Sequence, residues 1–258
     1  MDWQEAGKAW GWRATDWAHL VEPGNRRLFL DVLDGLDVGA GDTFCDVACG
    51  SGFAVEEAQR RGADVAGLDA SEELLAVAAE RAPGADLRAG DLAALPWPED
   101  SFDVVTSFNG VWNVEAAFAE VRRVLRPGGR FAMSFWGRPE HVDLYALMPA
   151  LAEFSPPEEL HAGASLLSVG EEGVAEALLR AHDLTPLRRS ATMCTQEYAD
   201  LELASRGLVS SGPTYPAVQA AGESAVRSRL EQLSARFVST QTGMVRITNE
   251  WAWIIAQG

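Results

Sequence analysis

The sequence predicts an α/β chain built on an open, largely parallel sheet with helices on both faces. Three observations carry this. Short apolar runs and helical patterns alternate from Thr43 to Trp136. A glycine turn, "ACGSG", follows the first of those runs directly. A long apolar run, "GMVRITNEWAWIIA", returns near the C-terminus after a helical stretch, where an excursion from the sheet has to close.

Each element has its own justification. Residues 2–37 show helical spacing and are rich in tryptophan, with Leu28, Phe29, Val32 and Leu33 on one face and Gly35 at the end. The turn "DVGAGD" leads into a strand over 43–48, and a helix over 53–61 stops at Gly62. A second strand covers 64–68. Ser71 then caps a helix whose first turn holds Glu72 and Glu73, where the helix dipole favours acids. That helix fades at Pro83, a weak strand follows at 86–89, and "FDVVTSF" is the next strand. "VEAAFAEVRRVL" is helical, and "RPGGRFAMSFW" is a turn and strand. Beyond it, "HVDLYALMPALAEF" and "GEEGVAEALLRAH" are helical, and "TPLRRSATMCTQEY" is partly extended. Residues 199–237 are helical with a break at "SSGPTYP", and the closing strand covers 244–256, with Trp251 and Trp253 on one face.

Composition narrows the function classes. The chain has 258 residues, enough for one α/β domain with additions, and at 47% hydrophobic it can build a substantial core. Its formal net charge of −17 opposes nucleic acid and anionic membrane surfaces, which require a basic track. The 3 cysteines, Cys45, Cys49 and Cys194, have neither zinc nor redox-pair spacing and read as reduced thiols. The N-terminus has neither a basic leader nor an apolar segment, and no apolar run reaches membrane-spanning length, so the expectation is a cytoplasmic protein.

The chemistry concentrates at the carboxyl ends of the strands, where open parallel sheets bind ligands. Gly50 and Gly52 let a ligand approach backbone amides at a helix N-terminus. Asp69 ends the second strand, where a carboxylate can accept two hydrogen bonds from a ribose diol. Asp91 and Leu92, in "GD" and beyond, stand where an adenine amino group and ring nitrogen could be met. A nicotinamide dinucleotide would call for G-x-G-x-x-G, but Val55 occupies the place of the third glycine.

The runs "DVACGSG", "LDAS", "GDLAALPWPEDSFDVV" and "VLRPGGRF" resemble the class I S-adenosylmethionine-dependent methyltransferases, in particular the bacterial branch acting on small molecules. The resemblance covers roughly residues 36–136. It implies a Rossmann-like, doubly wound seven-stranded sheet whose last strand is antiparallel, with an N-terminal helical segment and a helical lid. It divides the chain into a lid segment over 1–37, a cofactor-binding core over 38–137, and lid helices plus closing strands over 138–258. The implied cofactor is S-adenosylmethionine, with S-adenosylhomocysteine as product. It would be held by Asp46, Ala48, Gly50, Gly52, Asp69, Ala70, Asp91, Leu92 and Asn109. Alanine replaces the family's usual first glycine at Ala48; it is small and expected to need only ordinary backbone angles.

The implied reaction is methyl transfer to an oxygen, nitrogen or carbon atom of a small, apolar or aromatic metabolite, in secondary metabolism. Two other readings keep the fold: cyclisation or rearrangement around the bound cofactor, and a non-catalytic cofactor-binding partner protein. With 9 tryptophans available, Trp10, Trp12, Trp112 and Trp136 are expected to line the substrate, since aromatic faces stabilise a neighbouring cation. Among 4 histidines, His141, just past the fifth strand, is the candidate base; no metal is expected. The partner is a small molecule, and the assembly is a monomer or homodimer.

Overall fold

In a computed structural model, which describes residues 2–111, 114–154 and 169–258 (149–151 by backbone only), seven strands form one sheet in the order β3-β2-β1-β4-β5-β7-β6. They are β1 (Thr43–Val47), β2 (Asp64–Asp69), β3 (Asp86–Ala89), β4 (Phe102–Phe108), β5 (Leu125–Trp136), β6 (Thr185–Tyr198) and β7 (Val245–Gln257). The first five run parallel, and β7 lies antiparallel between β5 and β6. The expected seven-stranded, doubly wound sheet with its last strand antiparallel is what forms.

Alternation along the strands divides the core into two layers. On one face Val105, Phe131, Met133 and Ile254 pack with Phe118 and Val121 of α5 (Glu115–Val124) and Leu179 of α7 (Val174–Ala181). On the other, Phe44, Val104, Trp251 and Trp253 meet Phe29 and Leu33 of α2 (Arg26–Gly35), Val55 of α3 (Phe53–Arg60) and Leu75 of α4 (Glu72–Arg81). Trp251 and Trp253 do share a face, and each indole N–H finds a buried acceptor, Asn25 Oδ1 and Thr192 Oγ1.

A third apolar cluster lies past the end of β5. Strands β6 and β7 continue pairing from Met193↔Glu250 to Tyr198↔Val245, after β5 has ended at Trp136 opposite Trp251. On this extension Tyr198, Val245 and Ile247 pack against Val209, Val218, Val226 and Leu230. Those side chains come from α8 (Leu201–Val209), α9 (Tyr215–Ala221) and α10 (Glu223–Ser234). The helix α6 (Met148–Phe154) lies before them in the chain, and no helix among the described residues is long and apolar enough to cross a membrane.

The N-terminal segment is broken where the sequence suggested continuous helical spacing. The helix α1 (Trp3–Gly11) opens with Asp2 and Glu5 exchanging side chain-to-backbone hydrogen bonds. Arg13 leaves the helical region, at φ −139°, and a π-helical turn at Trp17–Val21 precedes a single turn at Glu22–Asn25 containing Pro23. Two glycines let α1 lie directly on the end of β2. A Cβ on Gly7 would stand 2.2 Å from the Ala70 carbonyl oxygen, and one on Gly11 would stand 2.3 Å from Ser71 Oγ. Its other side meets the helical cluster: the Trp10 indole covers Gly212, and Trp12 packs against Tyr215 at 6.0 Å.

Candidate functional site

The carboxyl ends of β1, β2 and β4 converge with the start of α3. Asp69 closes β2 and is buried, and its two oxygens accept from Gly50 N at 2.8 Å and Ser71 N at 2.9 Å. Burial pushes this carboxyl above the usual range while the Ser71, Gly50 and Ala70 amides pull it back. A carboxylate offers about four acceptor sites, so beside these amides Asp69 retains capacity for a further donor. Gly50 sits in the left-handed region, at φ +54°, and a Cβ there would meet only Glu22 Oε1, at 3.9 Å. An open cradle beside a fixed carboxylate fits the ribose and amino-acid portions of a nucleoside sulfonium such as S-adenosylmethionine. Gly52 serves packing: its Cβ would stand 2.6 Å from the Ala78 Cβ, so its absence lets α3 approach α4.

Ala48 corrects the sequence expectation of ordinary backbone angles. Its φ is +61°, in the region where a Cβ crowds the following carbonyl. Asn109, at the end of the neighbouring strand β4, also has φ +61°. Two non-glycine residues thus take the left-handed conformation at neighbouring strand ends. Gly110, the residue after Asn109, lies directly on Ala48: a Cβ added to Gly110 would stand 2.4 Å from the Ala48 Cβ. Gly110→Ala is therefore expected to destabilise by about 2–3 kcal/mol. In an Ala48→Gly background, which also relieves the left-handed strain, the loss should shrink by about 1 kcal/mol or more. Urea unfolding of the four-variant cycle measures that coupling, and additive losses would show the contact to be immaterial.

Asp46 lies beneath the glycine turn, with Thr106 Oγ1 donating to Oδ1 at 2.7 Å. Burial raises its carboxyl well above the usual range, and the charges of Asp69 and Glu22 add to the effect. Asp91 accepts from Ala93 N at 2.9 Å, an arrangement that shapes its own loop. Leu92 is half-buried against the α5-side core. Ala70 is half-buried under Gly7.

The aromatic residues fall in different surroundings. Trp136 stacks on Trp251 with centroids 4.1 Å apart and lies 6.0 Å from the Tyr145 ring, beyond the end of β5. Trp10 meets Trp17 edge-on at 5.0 Å beside Gly212, and Trp12 belongs to the helical cluster. Trp112 lies outside the described residues.

His141 is brought to the protruding part of β7, where its Nδ1 lies 2.8 Å from Glu250 Oε2. With the carboxylate ionised, Nδ1 must carry the proton, which leaves Nε2 as the acceptor of the neutral ring. The pair lines an open cavity of about 360 Å³ with Arg138, Asp143, Met193 and Thr248. Arg138 donates to both Glu250 oxygens, and this guanidinium with its backbone amide and His141 holds the Glu250 carboxyl down to about 2. The depressed value means that Glu250 stabilises the fold above its ordinary pKa near 4.5, and that this stability drains away as pH falls toward 2. Glu250→Gln is accordingly expected to lower thermal stability at pH 7 and to flatten its dependence between pH 4.5 and 2. Melting curves across that window report it; an unchanged acid limb would mean that the pair contributes nothing.

Several site residues had no signal in the sequence. Glu22, Ser51 and Arg81 join at the glycine turn, with Glu22 Oε2 accepting from both the Ser51 hydroxyl and Arg81. Their separations of 29 and 59 residues from Glu22 place them beyond any local motif. Glu250 and Tyr145 were likewise invisible: the long β7 brings Glu250 to His141, and the loop beyond β5 brings Tyr145 to Trp136.

Comparison with known proteins agrees with this geometry. Residues 45–133 match the family model described as a methyltransferase domain. A demethylmenaquinone methyltransferase of Renibacterium salmoninarum is 39% identical over 117 residues, 44% of this chain and 48% of that protein. The chain thus spans about half the length of the curated relatives it matches. In three dimensions it resembles the YcgJ protein from Bacillus subtilis, with a TM-score of 0.57 at 19% identity over 90% of this chain and 97% of the other. It also resembles geranyl diphosphate C-methyltransferase from Streptomyces coelicolor in complex with Mg2+, geranyl diphosphate and S-adenosyl-L-homocysteine. There the TM-score is 0.51 at 16% identity, over 90% of this chain and 77% of that one.

Proposed function

From the match of residues 45–133 to a methyltransferase domain, we propose that the protein is a class I S-adenosylmethionine-dependent methyltransferase that transfers a methyl group to an oxygen, nitrogen or carbon atom of a small, apolar or aromatic metabolite. The observation that carries the reading is the Asp69–Gly50 clamp: a buried carboxylate fixed by two backbone amides, beside a glycine whose missing Cβ leaves a cradle. Relatives that methylate a demethylmenaquinone and geranyl diphosphate, by their names, support an apolar acceptor and a place in specialised metabolism.

Bound S-adenosylmethionine would supply an electrophilic methyl group on a sulfonium. The chain's own work is to hold, align and dry the site. Asp69 accepts the ribose hydroxyls, Asp91 and Leu92 bracket the adenine, and Ala48, Gly50 and Asn109 bound the amino-acid portion. Asp46 acts beneath them through the backbone of the turn. Trp136 presents an aromatic wall at the end of β5. Residues 1–37, with Trp10 and Trp12, and the helices of 138–258 form a lid over the core 38–137. Alignment alone can contribute about 7–11 kcal/mol to such a reaction. Where the acceptor must lose a proton, His141 takes it at Nε2 while Glu250 holds the ring in the required tautomer. The protein is proposed to act in the cytoplasm, as a monomer or homodimer.

Incubation of the protein with S-adenosylmethionine and a panel of quinols, phenols and prenyl diphosphates tests this. The expected result is S-adenosylhomocysteine formed in step with a product heavier by one methylene. A transformed acceptor without S-adenosylhomocysteine would replace methyl transfer by cyclisation or rearrangement, and absence of cofactor binding by the folded protein would overturn the reading.

A further inference from the structure

Glu22 is an acid with no place in the sheet's own motif. It comes from the broken N-terminal segment, yet it is only 4% exposed and lies against the glycine turn. Its Oε2 is occupied by the Ser51 hydroxyl and Arg81, and Arg81 is itself anchored by donating to the Ala18 carbonyl at 2.7 Å. Its Oε1 has no hydrogen-bond partner among the described residues, and it lies 3.9 Å from the position a Gly50 Cβ would take. The residue is buried, yet Oε1 stays accessible beside the cradle that the turn leaves open, where an incoming donor can reach it.

The surroundings are also poor in positive charge relative to the acids they hold. Burial raises the Glu22 carboxyl above its usual range in spite of Arg81, and Glu22 and Asp46 each lie close enough for the Glu22 charge to raise Asp46. A cation arriving in the cradle would relieve that repulsion. The cofactor of the proposed reaction carries a cationic ammonium on its amino-acid portion.

We infer that Glu22 Oε1 receives the ammonium of the cofactor's methionine portion, so that the N-terminal segment supplies a cofactor-binding residue in addition to covering the core. This rests on the methyltransferase reading above. The division of labour is specific. Oε2, Ser51 and Arg81 fix the rotamer, and Oε1 makes a charge-assisted contact that a ligand lacking the amino-acid portion cannot use.

Calorimetric titration of three ligands into wild type, Glu22→Gln and Glu22→Asp tests the inference. S-Adenosylmethionine and S-adenosylhomocysteine carry the ammonium; 5′-methylthioadenosine shares the nucleoside and lacks it. Glu22→Gln is expected to bind the first two about tenfold or more weakly. Its affinity for 5′-methylthioadenosine should stay within about twofold of wild type. Glu22→Asp keeps the charge on a shorter arm and is expected to show a smaller loss with the same selectivity, which keeps the question answerable should the glutamine variant not fold. An equal loss for all three ligands would reduce Glu22 to a buttress of the turn, and unchanged affinities would remove it from the site. Failure of wild type to bind any of the three would instead strike the methyltransferase reading itself.

Discussion

Asp69→Ala is expected to abolish measurable binding of S-adenosylmethionine and to destabilise the fold at the same time. The carboxylate makes two charge-assisted bonds to Gly50 N and Ser71 N, and its removal leaves both amides unsatisfied in a buried place. Each orphaned amide costs about 1–3 kcal/mol, so a stability loss of about 2–6 kcal/mol follows. Loss of the ribose contacts should weaken cofactor binding about a hundredfold or more. Asp69→Asn separates the two effects. Its carbonyl can still take one amide, while its own N–H₂ opposes the other, so part of the stability should return without the affinity. Chemical unfolding and calorimetry on the same samples read both quantities. Retained affinity in a folded Asp69→Ala protein would remove the clamp from the cofactor site.

The second large effect should come from a change that looks favourable in isolation. Gly7→Ala improves helix propensity in α1 by about 1 kcal/mol. Its new Cβ, however, would stand 2.2 Å from the Ala70 carbonyl oxygen, a backbone atom at the end of β2 that has no rotamer by which to yield. The helix must lift, and it takes with it the Trp10–Trp17 edge contact and the cover over Gly212. Expected are a fall of tenfold or more in cofactor affinity, a shift in tryptophan fluorescence, and faster proteolysis of the N-terminal segment, with the sheet intact by circular dichroism. Wild-type affinity together with unchanged fluorescence would mean that α1 is docked less firmly than its glycines indicate.

What could be read from the sequence was set by how local its cause is. Strands β1, β2, β4 and β5, the glycine turn and Asp69 announce themselves through runs of apolar residues and turn chemistry within a few positions. The edge strand β6 showed itself only in part, as the partly extended run "TPLRRSATMCTQEY". Its first half is exposed on both faces, with Leu187 58% exposed, so the alternation that identifies a strand appears only toward Cys194, Gln196 and Tyr198. The conformation of Ala48 was hidden for a different reason. Alanine carries no signal of positive φ, and the angle is imposed by the turn it opens and by Gly110 packing beside it. Glu22 was hidden by distance along the chain, because its partners Ser51 and Arg81 lie on other elements.

The pairing of β6 with β7 beyond the end of β5 has a consequence for how such a protein can change over generations. Past Trp136 and Trp251 these two strands leave the parallel sheet and carry the third apolar cluster by themselves. The helices mounted there contribute nothing to the register of β1, β2 or β4, so they can be lengthened, exchanged or rebuilt while those strands stay as they are. Selection for a new acceptor can therefore act on one end of a two-stranded arm without reopening the problem of holding the methyl donor. That separation agrees with the extent of the family match, which ends at residue 133 within β5 and includes neither strand of the arm.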